Sequence, residues 1–164
     1  MATGRKKSPA PHSEGKRILN AIRQLVRALR LFDREAQAKH GISAAQMFVL
    51  HALSEEDGIS LNTLAERTAT DQSSASVVVQ RLVDGGYLTR TPDQEDRRHI
   101  ILRLTAKGRA ITRRSPPPTQ QRIIAAVEAM PLRDRKAFAK MLETFVEGVG
   151  VKGKKAPMLF EEDK

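Results

Sequence analysis

Four histidines, His12, His40, His51 and His99, are the side chains best suited to move a proton or hold a metal near neutral pH, and their separation fits neither task. No two stand at a metal-ligand spacing, no serine sits in a G-x-S-x-G elbow, and no glycine-rich stretch could cradle a phosphate. The chain has no cysteine, which excludes disulfides, thiolate nucleophiles, thiol redox sensing and cysteine metal sites. Neither a catalytic residue nor a cofactor or metal is expected. The spacing that does suggest a task is of another kind. Gln72, Ser73, Ser74, Ser76, Val77, Gln80 and Arg81 fall on one side of a helical pattern, opposite Ala75, Val78, Val79 and Leu82. Short hydroxyls, a carboxamide and a small apolar group suit a helix that must lie against base edges in a major groove about 12 Å wide. Further along, Asp96, Arg97 and Arg98 occupy a polar run between two segments of period two. A hairpin tip there would bring Arg97 and Arg98 to a neighbouring minor groove, whose negative potential is concentrated over narrow A·T-rich stretches.

These residues need elements to position them. Residues 1–17 carry Arg5, Lys6, Lys7, Pro9 and Pro11 with few apolar side chains, which predicts a disordered basic arm. Ile18, Ile22, Leu25, Val26, Leu29 and Phe32 then recur at steps of three and four, predicting an amphipathic helix that Gly41 ends. Ser43 to Gln46 fits a capping box for a second helix with Met47, Val49, Leu50 and Leu53 inward. Asp57-Gly58 reads as a turn, Ser60 as the cap of a short third helix, and Asp71 as the cap of the fourth, the serine-faced helix, which Gly85-Gly86 stops. Tyr87–Arg90 and His99–Leu104 read as strands around the charged tip Pro92–Arg98. Thr105 caps a fifth helix that ends at Ser115-Pro116-Pro117-Pro118. Two more helices follow, carrying Ile123, Ile124, Val127 and Met130, and then Leu132, Phe138, Met141, Leu142, Phe145 and Val146. Met47, Met130 and Met141 stand at core spacing, which favours packing over an oxidation-sensing role.

A short helix, a tight connection, a serine-faced helix and a charged hairpin form the order of a winged helix-turn-helix. The expected fold class is mainly α with a small β-wing. Composition agrees. The 164 residues are 40% hydrophobic but only 4% aromatic, so the core must be aliphatic, and a net charge of +10 attracts polyanions. Nothing approaches a membrane-spanning or signal-peptide apolar run, so no membrane partner and a cytoplasmic location are expected.

The segment Asp96-Arg97-Arg98, followed by Leu102-Arg103-Leu104-Thr105-Ala106-Lys107-Gly108, resembles the wing and following helix of the MarR (multiple antibiotic resistance regulator) family, and the resemblance runs from about Ile18 to Val146. It implies a homodimer whose first and last helices interlock into a dimerisation lobe, residues 18–40 and 116–147. It also implies a DNA-binding module, residues 42–105, and leaves 148–164 as a flexible tail. The two modules would face successive major grooves of a pseudo-palindromic operator in double-stranded DNA. The first and last helices independently hold more apolar residues than a small separate lobe could bury. By the same resemblance Arg98 is the minor-groove arginine, Asp96 the carboxylate that orients it, and Arg81 a phosphate contact. A small anionic aromatic effector is implied between lobe and module, with Arg27, Arg30, Met47, Phe48 and His51 as its candidate contacts. Two departures stand out: Val77 replaces an arginine common in the family, and Pro116–Pro118 interrupts a helix that is usually longer. The function expected is a transcriptional repressor released by a small molecule; the alternatives are a non-specific architectural DNA-coating protein or a protein-interaction adaptor.

Overall fold

A computed structural model describes residues 12–56, 58–93, 100–150 and 158–160. The order of elements is α1 (His12–His40), α2 (Ala44–Ser54), β1 (Ile59–Ser60), α3 (Leu61–Arg67), α4 (Gln72–Asp84), β2 (Leu88–Pro92), β3 (Ile100–Leu104), α5 (Ala106–Arg114), α6 (Thr119–Glu128) and α7 (Leu132–Gly148).

The core is built around α2, where every residue from Ala44 to Leu53 except Gln46 is buried. Two neighbours hold its N-terminus in place. Ser43 Oγ accepts from Gln46 N (3.2 Å) while Gln46 Oε1 accepts from Ser43 N (2.9 Å), completing the expected capping box. The Asp33 carboxylate of α1 then accepts from Ala44 N at 2.8 Å, so a third backbone donor is satisfied and α1 is registered against α2. Against α2 pack Leu64 of α3, Val78, Val79 and Leu82 of α4, and Leu88, Leu102 and Leu104 of the sheet, all buried. The sheet has the order β1-β3-β2 and is antiparallel, with Leu88 opposite Leu104, Arg90 opposite Leu102 and Ile59 also opposite Leu102.

Several expectations shift. α1 begins at His12, so residues 12 to 17 of the expected arm are helical, while residues 1–11 lie outside the described residues. Glu14 in the first turn suits the positive end of the helix dipole, and Glu14 to Arg17 are exposed, so local terms favour the helix here. The two-residue strand β1 was not anticipated, being too short to show a period. Pro92 closes β2 instead of opening the tip; β2 is an edge strand, where a missing N–H is tolerated. Met141, expected in a core, is exposed, and α7 buries no residue at all. The tail, expected to be flexible, returns at Met158, which packs into the core with 5% exposure.

Candidate nucleic-acid interface

The helix-turn-helix is α3 and α4. Thr68 Oγ1 donates to Leu64 O (2.9 Å), Ala69 turns at φ 51°, and Thr70 N donates to Ala65 O (3.0 Å), so the chain reverses within four residues. Asp71 caps α4 as expected. One carboxylate oxygen accepts from Ser74 N and the other from Ser74 Oγ, both at 3.0 Å. These bonds, led by that from the Ser74 backbone N–H, hold the Asp71 carboxyl below its usual range.

Ala75, Val78, Val79 and Leu82 anchor α4 in the core. That leaves Gln72, Ser73, Val77 and Gln80 exposed, with Ser74, Ser76 and Arg81 half-buried beside them. The structure therefore gathers all seven residues on the face of α4 away from the core. Ser74 donates its hydroxyl to Asp71, and Gln80 Nε2 donates to Asp84 Oδ1 at 2.8 Å. Val77, 42% exposed, presents its methyls at the middle of this face. Asp96, Arg97 and Arg98 lie outside the described residues; the strands on either side of them, β2 and β3, form the hairpin that was expected.

The segment Leu104-Thr105-Ala106-Lys107-Gly108 does more than start a helix. Thr105 Oγ1 accepts from Gly108 N (3.1 Å) and donates toward Gly86 O (2.8 Å) and Tyr87 O (3.1 Å), while Thr105 N donates to Tyr87 O (3.0 Å). Lys107 Nζ donates to Gly85 O (2.8 Å) and sits 4.0 Å above the Tyr87 ring. Gly108 passes so close that a Cβ there would meet Tyr87 O at 2.4 Å. The far end of α4 is closed by a Schellman pair, Tyr87 N to Leu82 O (2.8 Å) and Gly86 N to Val83 O (2.9 Å), with Gly86 at φ 72°. The motif thus fastens the exit of α4 to the entrance of α5, and the wing strands leave from that joint. Sequence reasoning found Thr105 as a cap but missed Lys107 and Tyr87, whose roles depend on a fold that brings residues 85–87 against 105–108.

The effector candidates are not brought together. Arg27 and Arg30 are exposed on α1, whereas Met47, Phe48 and His51 are buried on α2. Phe48 lines two adjoining cavities, of about 600 and about 250 Å³, between α2, the end of α3 and α6. Met47 lines a small third one against α1. Arg27, Arg30 and His51 line none of these three. His51 Nε2 is buried without a partner among the described residues, and burial lowers its pKa from the ordinary 6.5. Among the described residues no cluster of three potential ligands could hold a metal, and no helix is long and apolar enough to cross a membrane.

Comparison with known proteins bears on this module directly. The sequence model of the MarR family matches residues 40–99, from the end of α1 into the wing. The chain is 34% identical over 74 residues, 45% of its own length, to the HTH-type transcriptional repressor MdtR of Bacillus subtilis, and 26% identical over 128 residues, 78% of its length, to the HTH-type transcriptional regulator TtmR of Methylorubrum extorquens. It spans 48% and 65% of the lengths of these two relatives. Among solved structures it is similar to BpsR of Bordetella bronchiseptica, a protein whose DNA binding is regulated by 6-hydroxynicotinic acid. That similarity has 26% identity and a TM-score of 0.54, and covers 78% of this chain and 91% of BpsR. A helix-turn-helix with its polar face outward, a hairpin in the wing position and a family-model match over residues 40–99 agree that this module is similar to that of the MarR family.

Proposed function

We propose that the protein is a sequence-specific, double-stranded DNA-binding transcriptional regulator that acts as a homodimer on a pseudo-palindromic operator in the cytoplasm, most simply as a repressor. The observation that carries this is α4: a helix anchored by four buried apolar residues and presenting glutamine, serine and valine outward. Such a face can approach base edges closely, with Ser73, Ser76 and Gln80 as hydrogen-bonding groups and Val77 as an apolar contact for a thymine methyl. Asp71 and Ser74 hold the N-terminus of that helix in shape, and Arg81 is the phosphate contact. From the wing, Arg98 enters the minor groove with Asp96 as its orienting partner and Arg97 nearby.

Dimerisation is supported by what the single chain leaves uncovered. On α1 Ile18, Leu19, Ile22, Leu25 and Val26 are exposed; on α7 so are Phe138, Met141, Leu142, Phe145 and Val146. Two helices with unburied apolar stripes flanking one folded module fit a lobe formed by two chains, residues 18–40 and 116–147 of each. The module between them is 42–105. A small-molecule effector would act by changing the spacing of the two α4 helices from the roughly 34 Å that successive major grooves require. The regulated DNA binding of BpsR supports that reading.

Selection of bound sequences from a random duplex pool, followed by binding to the selected and scrambled duplexes across salt, tests the proposal. A two-fold related site bound at least about 1,000-fold more tightly than its scramble is expected. Equal affinities with equally steep salt slopes would favour the non-specific coating that a net charge of +10 also permits.

A further inference from the structure

The described part of the tail, residues 158–160, lies against the cleft between α2, the turn after α3 and α6. Met158 is buried together with Phe48, and Leu159 lines the same cavity. Gln120 is 6% exposed, and α6 buries only it and Thr119. Its Nε2 donates to the Leu159 carbonyl at 3.2 Å, while its Oε1 is buried with no partner among the described residues. The carboxamide therefore has its donor half used and its acceptor half empty, inside an apolar cleft walled by Phe48, Ile123 and Ile124. The adjoining larger cavity shares Phe48, Ala69 and Ile124, and Glu55, Glu66 and Glu128 stand on its wall. Arg67, also on that wall, is ion-paired with Glu56.

We propose that this cleft is a ligand site for flat, apolar, uncharged molecules with an amide or lactam edge, and that Met158–Phe160 is its built-in occupant. The chemistry follows from the lining. A cis N–H and C=O pair would meet both halves of the Gln120 carboxamide, where the tail meets only one. A ring would replace the Met158 side chain against Phe48 and Ile124. A carboxylate reaching into the adjoining cavity would meet Glu55, Glu66 and Glu128 there, with Arg67 already paired to Glu56, so the site discriminates against the anionic aromatic compound implied by the resemblance. The tail must leave for a ligand to enter, and this weakens apparent affinity by the fraction of molecules in which the cleft is empty. Departure also releases α6 from the Thr68–Thr70 turn that leads into α4. The site gives the effector reading above its ligand class and rests on that reading only for its consequence on DNA.

The test therefore uses no DNA. Binding of 2-quinolinone, a neutral lactam, and of quinoline-2-carboxylate, an anion on the same ring, is measured by calorimetry on the full chain and on Met158→Asp, Met158→Ala and Gln120→Leu, with hydrogen exchange followed at 119–124. Relative to the full chain, Met158→Asp should bind the lactam about tenfold more tightly and Met158→Ala somewhat less so. Gln120→Leu should lose the lactam, and the carboxylate should bind at least about tenfold more weakly than the lactam to every variant. Protection at 119–124 should fall in Met158→Asp and return with lactam. Equal lactam affinity in the full chain and both Met158 variants, retention of the lactam by Gln120→Leu, or equal binding of the carboxylate would overturn the proposal. So would a loss of protection spread over all helices, which would make Met158 a plain core residue. Failure of operator binding, in contrast, leaves each of these outcomes readable.

Discussion

Helix α2 is apolar on nearly every side and α7 along one stripe only, and the first buries nine of its residues and the second none. α2 is enclosed by α1, α3, α4, α5 and β3, and its caps come from two separate segments. α7 makes its polar contacts mainly with the preceding turn, where Arg135 Nη2 donates to Glu128 O (2.6 Å) and Met130 O (3.2 Å). Yet Phe138, Met141, Leu142 and Phe145 line up at helical spacing along it. The two helices differ in their partners: α2 finds its apolar neighbours within its own chain, and α7 leaves its apolar stripe uncovered there, as the proposed dimer requires. If the proposed dimer covers α7, the module around α2 and the lobe should respond differently to substitution.

The largest difference is expected on α7. Phe138→Glu places a charge in the middle of the exposed stripe and should weaken the dimer on the order of 100-fold or more, as loss of a central aromatic contact does. Light scattering over a dilution series checks this. The circular dichroism of the α2–α4 module should be retained in the monomer. If Phe138→Glu left assembly untouched, α7 would not be the pairing surface and the contrast with α2 would need another cause.

The same contrast explains what was legible in the sequence. Helices α2 to α5 could be read with their caps because Ser43, Ser60, Asp71 and Thr105 each bond a backbone N–H within three residues, a purely local signal. The outward face of α4 was legible for a related reason, since the inward face is fixed by period alone. What escaped depends on distance in sequence. Asp33 reaches Ala44, Lys107 reaches Gly85, and Met158 returns to Phe48 only after the fold has formed. Arg27 and Arg30 stand exposed on α1 while Met47, Phe48 and His51 are buried on α2, because the facing of α1 against α2 is set by contacts that no periodicity reveals. The exposure of Met141 has the same origin, because period marks a side chain as apolar without saying what, if anything, covers it.

A middle-sized effect tests whether the module stands alone. Gly108→Ala would drive a methyl to 2.4 Å from Tyr87 O and 3.1 Å from Leu104 Cδ2, and backbone on one side cannot yield cheaply. The Thr105–Tyr87 bonds would have to lengthen. We expect about 2 kcal/mol of lost stability in urea unfolding, typical of an overpacked site, with the dimer constant of the remaining folded protein unchanged. Loss of pairing at equal measure would show that module and lobe are coupled through α5.

The smallest expected effect concerns His51, which α2 buries with one ring nitrogen unpartnered. Burial disfavours the imidazolium, so the folded-state pKa lies below the ordinary 6.5. Below 6.5 the unfolded chain binds this proton more readily than the folded one, and stability therefore falls as pH drops from 6.5 through the folded-state value, then levels off. Above that window both states are neutral at this residue and the contribution is flat. Replacing it by an apolar side chain of similar bulk, His51→Leu, removes the titration and should make the stability of the module less dependent on pH below 6.5. Urea unfolding of both proteins at a series of pH values gives the two curves, and their difference isolates this residue from His40, which remains in each. Parallel curves would mean that His51 is as well solvated in the fold as in the unfolded chain, and that α2 is less completely enclosed than its contacts indicate. A parent curve that falls below 6.5 relative to that of His51→Leu would place a pH-sensitive element on α2.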